Sequence, residues 1–346
     1  MDYRDYLRLV PKTELHCHFV STIRPQRLVA WARERGVRLP SEDPAELARY
    51  TGLPEFLEVF NAAHAVFRSA DDIATVAHEG VLDAVRDSGL RYREYHVNPD
   101  GFAAVGIDYP TLLAGLVEGL GRAEAEVVVG FGVVVAIDRG TDLATASAML
   151  EVVLAHPHPA VVGLGQDDLA STGLESATDW APVYARARAA GLGLTAHVGE
   201  IGSSTAASVL EAVAVLGLDR VDHGYHVVDD PQLLERAREL GTAFCTTPKS
   251  AHLLSGWALD RTHPVARMLE AGLAVNLSTD DQAFFDTTLA AEFGHVGLDM
   301  GFGPDEVERI CLAGVEAAFC DEGTRTRLRA RFRGELVALR AALDPT

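Results

Sequence analysis

The chain has 346 residues, 48% hydrophobic and 23% charged, which is enough apolar material for a sizeable core and excludes a disordered or fibrous protein. Thirty basic residues against 50 acidic ones leave a net charge of −20; a nucleic acid or an anionic membrane calls for a basic surface, so neither is expected as a partner. Four scattered cysteines (Cys17, Cys245, Cys311, Cys320) lack any CxxC pair and suggest neither a disulfide framework nor a cysteine zinc site.

Short apolar, often β-branched runs alternate with stretches of helical period. The first strand is expected over residues 13–20. Residues 45–67 follow as an extra helical excursion, a candidate lid, and residues 71–88 as a helix leading into a second strand over 90–97. A helix over 110–124, a strand over 127–138, a helix over 142–155 and a strand over 160–167 come next. Strands over 193–200 and 220–226 enclose a helix over 204–216, and a helix over 231–240 separates them from strands over 241–248 and 273–281. Helices over 305–343 close the chain. Eight alternations of this kind fit an α/β fold of the (β/α)₈ barrel type, with extra helices over the C-terminal face, better than a doubly wound sheet. With no low-complexity linker, residues 1–346 read as one domain. The N-terminus has no apolar leader and no run approaches the roughly 20 apolar residues of a membrane span, so a cytoplasmic location is expected.

Polar residues gather at the ends of these strands. His16 and His18 are two apart on the first strand, so both side chains face the same way. His197 lies near the end of the fifth, with Glu200 three residues on; His223 lies near the end of the sixth, and Asp280 and Asp281 end the eighth. Catalytic groups of barrel enzymes converge from the C-terminal ends of several strands. Three imidazoles and a carboxylate suit Zn²⁺, and a nearby glutamate and a further histidine can move protons.

His16-Cys17-His18, Thr195-Ala196-His197-Val198-Gly199-Glu200, Asp222-His223-Gly224-Tyr225-His226 and Ser278-Thr279-Asp280-Asp281 resemble, in order and spacing, the four signature motifs of the adenosine deaminase family. The resemblance covers nearly the whole chain. It implies one zinc ion per chain, held by His16, His18, His197 and Asp280. Glu200 would be the proton shuttle beside the reacting ring nitrogen, and His223 would orient or deprotonate the attacking water. Asp281 would hydrogen-bond the substrate, and Phe56, Leu57 and Phe60, whose helical spacing alone means core, read equally as a hydrophobic gate. His96 stands where relatives often carry arginine or an aromatic residue and reads equally as structural or substrate-facing. His226 reads equally as a substrate contact or a hydrogen-bond partner behind the site.

Departures from the family pattern lie in the substrate pocket. Val20 stands where adenosine-specific members carry an acidic acceptor for the ribose hydroxyl. Asp168 falls where relatives have a purine-facing glycine, and Ala170 where they have glutamate, unless Asp168-Leu169-Ala170 pairs with the family's Asp-Leu-Ala. Asp222 replaces a usual glycine and Thr247 a usual cysteine. These read either as drift or as a changed substrate, with Val20 and Asp168 then contacting it. The expected function is hydrolytic deamination of a small heteroaromatic amine, a modified purine nucleoside or free purine base preferred, with ordinary adenosine a poor substrate. The alternatives are hydrolysis of another C–N bond, such as a cyclic amide, and a non-catalytic zinc- or ligand-binding relative.

Overall fold

A strand buried on both faces reads as a continuous apolar run, and Gly130–Asp138, with Val-Val-Val-Ala-Ile at its centre, is such a strand. The computed structural model describes residues 1–50 and 52–344. Its strands are β1 (Lys12–His18), β2 (Leu90–Val97), β3 (Gly130–Asp138), β4 (Val161–Asp167), β5 (Gly193–Leu194), β6 (His197–Val198), β7 (Arg220–His223), β8 (Ala243–Thr246) and β9 (Ala274–Leu277). They pair in parallel in the orders β1-β2-β3-β4-β5 and β6-β7-β8-β9.

Two seams close these sheets into a ring. At one, Cys17 bridges Asp280: the His18 amide donates to the Asp280 carbonyl at 2.9 Å, and the Asp280 amide to the His16 carbonyl at 3.1 Å. At the other, the Thr195 amide donates to the Leu164 carbonyl and the Asp222 amide to the Ala196 carbonyl. β5 and β6 are therefore two pieces of one barrel position, and the architecture is the expected eight-position (β/α)₈ barrel. The fifth strand, expected unbroken over 193–200, is interrupted at Thr195-Ala196. The first strand ends at His18, and Val20 lies in a 3₁₀ turn, Phe19–Thr22. β7 stops at His223 because His223 and Gly224 both adopt left-handed backbone, φ 67° and 73°. In each case the strand yields where its side chains reach the barrel mouth.

The crossover helices follow the sequence closely. Ala70–Ser88 starts where the Ser69 hydroxyl accepts from the Asp72 amide and ends at left-handed Gly89, where a Cβ would lie 2.9 Å from the Val10 carbonyl. The candidate lid includes a helix, Leu53–His64, and the chain ends in helices Pro304–Ala317 and Glu322–Ala342. Buried ion pairs link strands: Arg93 of β2 to Glu14 of β1, and Arg220 of β7 to Glu94 of β2. Removing one partner of such a pair costs about 3–5 kcal/mol, since the other charge is left buried. No helix among the described residues is long and apolar enough to cross a membrane.

Candidate active site

At the C-terminal rim, β1 supplies His16 and His18 and β6 supplies His197. Asp280, beyond β9, sits in left-handed backbone at φ 63°, a conformation costing a non-glycine residue about 1–3 kcal/mol and typical of functional sites. His16 Nε2 is 3.0 Å from Asp280 Oδ1, and His18 Nε2 is 3.4 Å from the same oxygen and 3.2 Å from His197 Nε2. One ligand atom from each of the four lies within 4.8 Å of every other, and all four residues are buried.

The surroundings decide which nitrogens carry protons. His197 Nδ1 is 2.7 Å from the Gln166 carbonyl and must donate to it, which leaves the Nε2 lone pair free to ligate. His16 Nδ1 lies 3.2 Å from Asp222 Oδ1, which favours the same tautomer. Burial opposes charge on His16, but Asp222 and Asp280 overcome it and raise its pKa to about 10. A cluster that draws in positive charge and presents three imidazole nitrogens and one carboxylate oxygen fits Zn²⁺.

His96 belongs behind this cluster. It is 1% exposed, its ring centroid is 4.5 Å from that of His16, and its Nε2 is 3.8 Å from Asp222 Oδ2. A second group of candidate ligands, His16, His96, His197 and Asp222, shares two residues with the first, so the two cannot be filled independently.

Glu200 Oε2 approaches His223 Nε2 at 3.6 Å, and both come close to Asp280. Burial, then the nearby Asp280 and Glu175 carboxylates, push the Glu200 carboxyl up to about 8; burial pushes His223 down to about 3. A carboxylic acid that keeps its proton at neutral pH beside a neutral imidazole is a divided acid–base pair. The Thr247 hydroxyl lies 3.3 Å from His223 Nδ1 and 2.9 Å from the Tyr225 hydroxyl, so the residue in place of cysteine joins the network that holds this ring. Asp281 Oδ1 is buried without a hydrogen-bond partner, and burial raises this carboxyl to about 7.

A cavity opens over these groups. The helix Leu53–His64 lines it with Phe56, Leu57, Phe60, Asn61 and His64; the Phe60 ring meets that of His18 edge-on at 5.7 Å, and Phe56 stacks on Phe285 at 4.9 Å. Asp138, Asp167 and Asp168 also line it, Asp168 in left-handed backbone at φ 61°. Arg139 is the one lysine or arginine among the described lining residues. Its guanidinium is committed to backbone carbonyls, those of Asp167, Asp168, Glu175 and His197.

Val20 is not among the described lining residues: the turn after β1 carries it into the core at 3% exposure. His226 bonds Asp229 and stands in a neighbouring pocket that shares Glu200. The sequence reading passed over Arg139, Asp138, Asp167 and Glu175, which belong to no local motif. Ala170, which stands where relatives have glutamate, shares the loop after β4 with Glu175.

Residues 11–333 match the family model described as adenosine deaminase. The chain is 32% identical to an adenine deaminase of Rhizobium leguminosarum bv. trifolii, over 92% of this chain and 98% of the relative. It superposes on the crystal structure of an adenine deaminase from Arthrobacter aurescens with TM-score 0.86 and 26% identity, over 94% and 98% of the two chains. A zinc-bound amidohydrolase from Burkholderia ambifaria gives TM-score 0.89 and 29% identity, over 98% and 94%.

Proposed function

Because the chain belongs to the adenosine deaminase family, we propose that its substrate is an uncharged purine base or closely related aminoheterocycle, free adenine foremost. The protein is a zinc-dependent aminohydrolase acting on C–N bonds. The observation that carries the substrate reading is the charge of the cavity. Asp138, Asp167, Asp168, Asp280 and Asp281 line it beside the protonated Glu200, and Nε and Nη1 of the one guanidinium there donate to main-chain carbonyls. A phosphate placed among these groups would meet repulsion from the ionised carboxylates. The relatives' action on adenine supports the same reading.

His16, His18, His197 and Asp280 would hold the zinc, which when bound would lower the pKa of water towards about 7 and so supply a nucleophile at neutral pH. His223 Nε2, buried without a hydrogen-bond partner, would orient the attacking water and take its proton. Glu200 gives its proton to the ring nitrogen next to the amino-bearing carbon. The water oxygen bonds to that carbon; the proton on His223 then passes to the amino group, the C–N bond breaks and ammonia leaves, while the hydroxyl proton returns to Glu200 as the carbonyl forms. Asp281 Oδ1 receives a ring N–H, and Phe56 and Phe60 shield the ring from water. Asp168 faces the ring edge and favours a donor there; Val20, carried into the core by the turn after β1, is not among the described lining residues. We place this single-domain enzyme in the cytoplasm, acting on a small molecule with no nucleic-acid or membrane partner.

Ammonia release from adenine, adenosine and AMP tests the substrate reading. Adenine is expected to give the highest kcat/KM. Adenosine should fall about ten- to a hundredfold lower, a difference of about 1–3 kcal/mol, and AMP should be inert. Turnover of AMP above that of adenine would overturn the reading.

Asp222 yields a second expectation. Losing the carboxylate that fixes the His16 tautomer should weaken zinc binding about ten- to a hundredfold in Asp222→Ala. Competition against a chromogenic chelator measures this, and an unchanged affinity would remove Asp222 from the metal's support.

A further inference from the structure

We propose that Glu175 is the positioning residue for Glu200, holding the backbone that aims the proton donor. The inference rests on reading Glu200 as that donor. Glu175 lies in the loop after β4, far in sequence from the groups it binds, and is 5% exposed. Its carboxylate accepts four hydrogen bonds: from the amides of Gly199 (2.7 Å), Glu200 (2.8 Å) and Ile201 (3.2 Å), and from the Ser204 hydroxyl (2.6 Å). No lysine, arginine or histidine side chain pairs with it among the described residues.

Three successive amides turned towards one point form a concavity suited to an anion. Here the protein fills it with its own carboxylate. The shape depends on Gly199, whose φ is +77° and where a Cβ would lie 2.6 Å from Val209 Cγ2 and 3.1 Å from Gly224 Cα. The middle amide of the three belongs to Glu200, so the carboxylate grips the catalytic residue by its main chain and leaves the side chain free to meet His223. Glu175 is fixed in turn. Arg139 donates to its carbonyl at 3.1 Å and to that of the metal-site His197 at 2.7 Å. The loops after β3, β4 and β6 are thereby bound into one unit whose output is the place of one carboxyl group. Burying a carboxylate without a counter-ion is costly, and four charge-assisted hydrogen bonds offset that cost only while this loop geometry is kept. Ordinary loop stapling would need one or two such bonds, not all three amides around the donor.

A double-mutant cycle tests the proposal. In Glu175→Gln the amide sets an N–H₂ group against donors, so the loop shifts. A displacement of about 1 Å at a reacting group can cost a hundredfold, and kcat is expected to fall about ten- to a hundredfold, with KM changed less than about threefold and the zinc content full. In the Glu200→Gln background the same change should have almost no further effect, because groups that act as a unit are not additive. If Glu200→Gln is slow and the double variant falls by the product of the single losses, Glu175 acts elsewhere and the proposal is overturned while the role of Glu200 stands. A Glu200→Gln variant with a normal rate would remove the reading of Glu200 itself, and the proposal with it. Glu175→Asp, which keeps the charge and shortens the reach, provides the same cycle with a milder change should the glutamine variant fold poorly. Full activity in both Glu175 variants also overturns the proposal.

Discussion

His197→Ala should emerge from purification without zinc and without activity. The imidazole it removes stands 3.2 Å from His18 Nε2, and its free lone pair is imposed by the hydrogen bond from Nδ1 to the Gln166 carbonyl. Three ligands would remain of four, and metal binding free energy depends on the complete set. Metal analysis should read about one zinc per wild-type chain and close to none in the variant after dialysis. The variant should also lose the stabilisation that free zinc confers on the folded state by mass action, which thermal unfolding with and without added zinc measures. A variant that keeps stoichiometric zinc would remove His197 from the ligand set.

Glu200→Gln should keep its zinc and lose about 10²–10⁴-fold in kcat, the usual contribution of general acid–base catalysis. That range corresponds to about 3–5 kcal/mol of transition-state stabilisation. The glutamine keeps the shape and the hydrogen-bonding reach but has no proton to give. The pH profile adds a second measurement. Burial and the neighbouring Asp280 and Glu175 carboxylates raise the Glu200 carboxyl to about 8, and nearby zinc draws it lower. The acid form is the active one, so kcat should decline as pH rises through the pKa of Glu200, at or below about 8, and that limb should vanish in the variant. A loss below about tenfold, with the limb unchanged, would sink the assignment.

The parts of this molecule legible in the sequence are those encoded over short stretches. The two-residue spacing of His16 and His18 on one strand, and the polar residues closing runs of valine and leucine, announce both the barrel and the four side chains that meet at its mouth. The interruption of the fifth strand at Thr195-Ala196 and the left-handed turns at His223 and Asp280 have no such signature. They follow from where neighbouring strands end and from the need to aim one side chain. Val20 shows the limit from the other direction: its position after the His16-Cys17-His18 motif suggested a pocket residue, but the turn Phe19–Thr22 buries it. Glu175 is a long-range case, since its partners lie 24–29 residues away and all but the Ser204 hydroxyl are main-chain amides, whose use no side-chain motif records. Asp222 stood out as an unusual residue, yet its closeness to His16 emerges only once β7 and β1 share the ring.

The seam between the first and last strands sets an order of events for the making of the protein. His16 and Asp280 are 264 residues apart, so on the ribosome the two histidines of β1 emerge long before the carboxylate that completes their site. A nascent chain holds only fragments of the donor set, and zinc should be captured after synthesis reaches Asp280 and the ring shuts. Until then β1 is an open edge, ready to pair with another chain. A chain that stops before β9 would keep that edge and never acquire the metal, so premature termination should leave an aggregating species in place of a weak enzyme. In the finished molecule an ion held by His16, His18, His197 and Asp280 would join the earliest and latest parts of the barrel like a clasp.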